Sequence, residues 1–429
     1  MIHDEAFKTR HRRKKTDFTR SRSLVFPLMV MLSLRKGVKS MQLTLNEWFD
    51  GLGLPGVTAS AHSQARHRLK HTAFIELNQE AIVKVCYQDG DHRLFRGFRV
   101  LGIDGSKIRL PETADITADF GQIRYGNQNP GVDGLHTWAL ASVLYDVPNH
   151  VALDASLGKA KAYEVDLAVA HLAHVRPGDL LLTDRNYPSY RWLASAAQAG
   201  CEFASRCSAK SFATARAMLR GEGADSQEAV IRPRPEQRRE LAAPGLPATL
   251  TVRFVRVALA TGESEVLVTS LLDETLYPTE MFLELYGLRW GVEGFYGRLK
   301  TRLGLESFTG RSAESVRQDF HSTVYLAGLE ALLTADAQDL LAERDTRHAY
   351  QVNHAVAFNA LKNRVFDLPT GRPTSTAWRS GSPRCSSRTR PAPAPSAKHP
   401  APASPCRTDS TTTSGAKKPA FRLNLTTTG

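Results

Sequence analysis

Between residues 98 and 199 the chain alternates short apolar runs with helical periods in an order that few architectures accommodate. Phe98-Arg-Val-Leu-Gly-Ile-Asp104 is an apolar run of strand length that ends on a carboxylate and leads into Gly105-Ser106-Lys107. Residues 136–145 and 151–157 are two further strand runs, joined by a turn around Asp146-Val-Pro-Asn149. Residues 162–175 carry a helical period. Asp179-Leu-Leu-Leu-Thr-Asp184 is another short buried run ending on a carboxylate, and residues 189–199 are again helical. Three strands, a helix, a strand and a helix imply an α/β sheet.

That order fits a sheet of the ribonuclease-H type. It sets Asp104 and Asp184 at or near carboxyl ends of strands, where open α/β sheets carry their sites. Taken singly, each aspartate is equally a capping or turn-forming residue. The stretch from Tyr286 to Lys300 gives the pair its meaning. At about 100° per residue, Leu285, Leu288, Val292, Phe295, Leu299 and Leu303 fall on one side of a helix. Pro278 and Thr279 suit its first turn. Tyr286, Arg289, Glu293 and Lys300 cluster within roughly 60° opposite that stripe. One helix is thus expected to present a phenol, a guanidinium, a carboxylate and an ammonium together. A solvated face laced by ion pairs fits the same spacings.

The wider spelling is Y-x2-R-x3-E-x6-K, with Trp290 and Phe295 interleaved. It resembles the signature around the last catalytic glutamate of DDE transposases of the bacterial insertion-sequence family typified by insertion sequence 4. The strand-end sequences at Asp104 and Asp184 resemble that family's first and second catalytic aspartates. The resemblance covers residues 18–344. It implies an α/β, ribonuclease-H-like catalytic core with a β-rich insertion, a helical N-terminal region and a DNA transposase activity: cleavage of transposon ends and their joining to target DNA. Asp104, Asp184 and Glu293 would be the catalytic residues and the metal ligands. Three carboxylates favour a hard, oxygen-preferring ion, Mg2+ or Mn2+, and two such ions about 3.5–4 Å apart suit phosphodiester cleavage. Arg289 and Lys300 could hold phosphates flanking the scissile bond, with Tyr286 bonding or stacking nearby. Arg185, beside the second aspartate, is a further DNA-binding candidate, or a salt bridge at the start of a helix. His136 and His321 fit core or surface positions better than acid–base roles, and Ser106 and Tyr187 show no catalytic need.

Charge adds the boundaries. The 429 residues carry a net charge of +13, yet residues 1–22 hold eight Lys/Arg against three Asp/Glu and residues 369–429 hold ten against one. The body between is nearly neutral, so DNA binding there must rest on local clusters. Residues 1–22, with His11-Arg-Arg-Lys-Lys15, read as a flexible basic arm. Residues 23–92 read as a helical DNA-binding region. Its segment 57–69 is one helix and the stretch from Thr72 another, with the break at His71 or Thr72. The first offers Ser63, Gln64, Arg66 and Arg68 to phosphates and base edges. An ordinary packed helical hairpin fits these residues too, and the stretch resembles the segment before the core in the same transposases. The apolar run 24–34 is too short to span a bilayer and is followed by Arg35-Lys36, so it reads as a buried helix.

Residues 93–200 read as the first part of the core and 201–273 as the β-rich insertion, where Leu250, Val252 and Phe254 alternate with Thr251 and Arg253. The insertion holds no tryptophan to serve as a platform for a flipped base. Residues 274–344 read as the catalytic helix and C-terminal helices of the core, and 345–368 as a short helical end. Residues 369–429 contain ten of the 22 prolines and no Ile, Val or Met, and are expected to form a disordered tail. The abrupt change suggests a shifted reading frame beyond Leu368. Cys86, Cys201, Cys207, Cys385 and Cys406 show no zinc-type spacing and suit a reducing cytoplasm. The expected partners are double-stranded DNA, as terminal inverted repeats and target, and a second copy of the chain in a homodimer on paired ends. A bacterial, cytoplasmic, nucleoid-associated protein without a membrane anchor follows. Two other functions stay compatible with the sequence: a non-catalytic DNA-binding transposase remnant, and a metal-dependent nuclease that stops at hydrolysis.

Overall fold

The computed structural model describes residues 1–20, 23–35, 40–124, 134–237, 245–259, 261–343, 350 and 352–364. The first helix, α1 (Glu5–His11), is capped by the Asp4 carboxylate, which accepts from the backbone N–H groups of Ala6 and Phe7. It buries Phe7 completely and joins Arg10 and His11 to Glu76. The basic N-terminus is therefore a docked helix rather than a free arm, because one apolar side chain and one carboxylate partner hold it. Helix α2 (Phe26–Leu34) is buried along its length, as the apolar run predicts, with Pro27 in its first turn. Then follow α3 (Met41–Leu52), α4 (Ala59–Arg66), α5 (Thr72–Asn78), a π-helical turn at Gln79–Val83, and α6 (Lys84–Gln88). The α4–α5 break has His71 as the residue before α5.

Among the described residues nine strands form one sheet: β1 (Val100–Arg109), β2 (Gln122–Ile123), β3 (His136–Asp146), β4 (Val151–Lys159), β5 (Leu180–Thr183), β6 (Glu202–Arg206), β7 (Ser226–Ile231), β8 (Leu250–Ala258) and β9 (Ser264–Thr269). The order is β2-β3-β1-β5-β6-β9-β8-β7, with β4 also paired to β3. Strand β1 lies antiparallel to β3 and parallel to β5, and β5 is parallel to β6. Two expectations change here. Asp104 does not end its strand: β1 runs on to Arg109 because every residue from Leu101 to Arg109 has a partner on β3, so Gly105-Ser106-Lys107 is strand. The β-rich stretch 201–273 is continuous with the main sheet, since β9 pairs with β6.

Helices α7 (Ala114–Phe120), α8 (Glu164–His171), α9 (Tyr190–Gln198) and α10 (Ala213–Leu219) connect the strands. After the sheet come α11 (Met281–Gly287), α12 (Trp290–Thr301), α13 (Ala313–Ala342) and α14 (His354–Arg364). The one helix expected across residues 278–303 is thus broken at Leu288–Arg289. Both residues keep helical dihedrals, so the hydrophobic period runs through the break without revealing it.

Side chains alternate across β1 and build the core on both faces. Leu101 and Ile103 pack with Val165, Trp192 and Phe203 under α8 and α9. Val100, Leu180 and Leu182 pack with Phe282 and Leu285 of α11. Val292, Phe295 and Leu299 of α12 join the N-terminal helices and α13. Each such side chain stabilises the fold by about 1.5–3 kcal/mol on burial. The tail 369–429, with the suggested change of frame, lies outside the described residues. Among the described residues no helix is long and apolar enough to cross a membrane.

Candidate active site

The parallel register of β1 and β5 pairs Val100 with Leu180 and Ile103 with Thr183. Asp104 and Asp184 are the next residues on two strands roughly 4.8 Å apart, in phase with Gly102 and Leu182. Burial, and then the charge of Asp184, push the Asp104 carboxyl up to about 7; the Gly105 N–H and Arg289 pull against this, and Glu293 adds to it. The Gly105 N–H donates to the Asp104 carboxylate at 2.9 Å.

Helix α12 rides directly on β1 because two glycines let it. A Cβ at Gly102 would stand 3.4 Å from Cβ of Val292, and one at Gly291 would meet Cγ1 of Val147 at 2.4 Å, closer than atoms can approach. Two bonds pin the helix in place: the Tyr296 hydroxyl donates to the Asp104 carbonyl at 3.1 Å, and Lys300 Nζ donates to the Lys107 carbonyl at 2.9 Å. Glu293 is carried to the neighbourhood of Asp104 and is tied by its Oε1 to Arg289 Nη1 at 2.6 Å. The Arg289 guanidinium also lies 4.6 Å from the Trp290 ring centroid and 5.4 Å from that of Tyr286.

The polar arc read from the sequence does not form one exposed face. Tyr286 is buried in the α11 core cluster, Arg289 is 3 % exposed, Lys300 is half-buried and only Glu293 is open to solvent. Three polar atoms here are buried without a hydrogen-bond partner: the hydroxyls of Tyr187 and Tyr286, and Nε of Arg289. Arg185 is exposed beside Asp184. Arg68 is also exposed, 3.9 Å from Asp17. Arg66 corrects the sequence reading: it is 5 % exposed and spends its donors on Gln318, Thr309, the Ser315 carbonyl and Asp319. It ties α4 to α13, with Nε and both Nη2 donors spent inside the protein. His321 is buried, as expected. Sequence reasoning missed Glu164, the first residue of α8. Burial and the charge of Asp184 raise its pKa, while Lys107 lowers it.

Hard oxygen donors and mutual repulsion make Asp104 and Asp184 a fitting pair for a divalent cation. Glu293 is partly neutralised by Arg289. Among the described residues, no three His, Cys, Asp or Glu side chains stand close enough together to hold an ion.

Residues 96–327 match the family model of the transposase DDE domain, a stretch that takes in all three carboxylates. The chain belongs to the DDE transposase family. It is a DNA transposase, an enzyme that cleaves DNA and transfers its strands. DDE transposases depend on metal ions, generally divalent cations, and DNA is their partner. A cryo-EM structure of the piggyBac transposase synaptic complex with hairpin DNA aligns with 86% of this chain and 76% of that chain, at 10% sequence identity and a TM-score of 0.40. No curated protein matches the sequence.

Proposed function

We propose that this transposase is of the group typified by insertion sequence 4, that its core is of the ribonuclease-H type, and that Asp104, Asp184 and Glu293 are its catalytic carboxylates. The observation that carries this reading is that Asp104 and Asp184 follow the last paired residues of adjacent parallel strands, with Glu293 on the helix pinned to β1. The order β4-β3-β1-β5-β6, antiparallel on one side of β1 and parallel on the other, supports the fold assignment.

The three carboxylates would hold two Mg2+ or Mn2+ ions, which when bound polarise the scissile phosphate and steady the attacking and leaving oxygens. Asp104, whose carboxyl burial and Asp184 push up to about 7, would have to be deprotonated to serve as a ligand. Arg289 fixes the Glu293 carboxylate and sets its positive charge beside the site. Lys300 and exposed Arg185 add positive charge along the strand being cut. Residues 23–92, through Arg68 rather than Arg66, form the region that grips the end sequence. The DNA substrate is a pair of terminal inverted repeats held by a homodimer in a bacterial cytoplasm, close to the nucleoid.

The test is cleavage of a duplex carrying the repeats that flank the gene, with Mg2+ or with chelator. Nicks at the repeat boundary in Mg2+ alone are expected. A bound but uncut duplex in Mg2+ and Mn2+ would overturn the proposal.

A further inference from the structure

From Asp104 onward, β1 has no strand pairing to β5. Strand β5 stops at Thr183, whereas β1 continues to Arg109 with partners only on β3. Two faces of the sheet meet where that pairing ends. Gly105 is in phase with Leu101 and Ile103 and so points to the α8 side, where a Cβ would stand 3.2 Å from the Glu164 carboxylate. Glycine at this position lets Glu164 lie against the strand. Asp104 and Asp184 come from the α12 side. Tyr187, on the turn after β5, is completely buried, its hydroxyl has no hydrogen-bond partner, and it lies in the field of Asp104, Glu164 and Asp184.

The charges here are balanced unevenly. Glu293 has Arg289. Asp104 and Asp184 each accept a single backbone N–H, from Gly105 and Asn186. Glu164 makes no hydrogen bond or ion pair among the described residues. The nearby ammonium of Lys107 donates to the Ala160 carbonyl and acts on Glu164 through its charge alone. Half-buried carboxylates with few hydrogen-bond donors around an unused hydroxyl are surroundings that favour a cation, because buried charge is otherwise costly.

We propose that Glu164 is a fourth carboxylate of the active site, which receives the hydrated divalent cation of Asp104 and Asp184 from the α8 side, with the Tyr187 hydroxyl bonding into the same water and carboxylate network. This rests on the reading of Asp104 and Asp184 as ligands. The spacing suits an indirect role: among the described residues no three His, Cys, Asp or Glu side chains stand close enough to hold one ion, and magnesium-type ions keep several waters and take one or two protein carboxylates.

The experiment is Mn2+ titration of the full chain without DNA, read by bound Mn2+ in electron paramagnetic resonance and by melting temperature, for wild type, Glu164→Gln, Glu164→Asp and Asp184→Asn. Wild type is expected to bind Mn2+ and melt higher with it. Glu164→Gln should raise the half-saturating concentration about tenfold, equivalent to about 1.4 kcal/mol, and melt no lower than wild type in chelator. Glu164→Asp should recover part of the affinity. Wild-type affinity in Glu164→Gln, with binding lost in Asp184→Asn, overturns the role of Glu164 alone. A lower melting temperature in chelator with an unchanged Mn2+ response also overturns it, by making Glu164 structural. No Mn2+ bound by wild type removes the ligand reading and this inference together.

Discussion

Two charged clusters in this molecule are built from the same residue types and come out oppositely. At the α4–α13 junction, Arg66 and Asp319 are both buried, and their charges are satisfied within the fold: Arg66 donates to Gln318 at 2.7 Å, Thr309 at 2.6 Å and Asp319 at 2.7 Å, while Asp319 also accepts from the Thr309 N–H at 2.8 Å. Where the β1–β5 pairing ends, Asp104 lies in the field of Asp184, and each accepts one backbone N–H. A charge closed off by its own fold holds elements together. A charge left open is balanced by something the chain must bind.

The largest effect expected of this contrast is catalytic. Asp104→Ala, Asp184→Ala and Glu293→Gln should each lower strand cleavage by roughly 10³-fold or more, about 4 kcal/mol in barrier, with end binding retained. Substantial cleavage by one variant would move that residue out of the site. Arg66→Ala should act on stability instead, losing about 3–5 kcal/mol because it strands a buried carboxylate. A denaturant melt with an unchanged midpoint would break the comparison from the other side.

Arg289→Ala should weaken DNA binding and reduce the salt dependence of affinity by about one counterion, with Lys300→Ala doing the same to a smaller extent. Lost cleavage at an unchanged salt slope would assign Arg289 to Glu293 alone. A further effect is on pH. The folded chain keeps Asp104 protonated to about 7, whereas the unfolded chain loses that proton near roughly 3.9. The folded state binds more protons between those values, so without divalent ions stability should fall as pH rises through that window. Asp104→Asn should flatten that fall in a series of thermal melts. An identical slope in both proteins would place the cause elsewhere.

Much of this was legible in the sequence because it is local. The strands at 136–145, 151–157 and 179–184 and the buried helix at 24–34 follow from periodicity, and they lie close to where the structure has them. What escaped depends on distant partners. Gly105-Ser106-Lys107 has turn composition, and it is strand only because β3 pairs with it. The basic N-terminus has the composition of an arm, and Glu76 converts it into a docked helix. Arg66 looked available to DNA because the residues that engage it lie far along the chain, at 309–319. Glu164 carries no local signal, since its place comes from a glycine on another element. Within the proposed site, the carboxylates were singled out from their places at the ends of apolar runs and on a helical period. The Arg289–Glu293 pair, four residues apart, fits the ion-pair spacing read there, but the burial of Arg289 and Tyr286 depends on how α11 and α12 settle on the sheet.

The most direct test of the central claim exchanges oxygen for sulfur at the paired aspartates. Asp104→Cys and Asp184→Cys would be assayed for end cleavage in Mg2+ and in Mn2+, because a thiolate ligand accepts the softer ion better than the harder one. If these carboxylates hold the catalytic cations, both variants bind the end, fail to cut it in Mg2+ and regain cutting in Mn2+. Cleavage at the wild-type rate in Mg2+, or no regain in Mn2+ with the end still bound, would contradict the account.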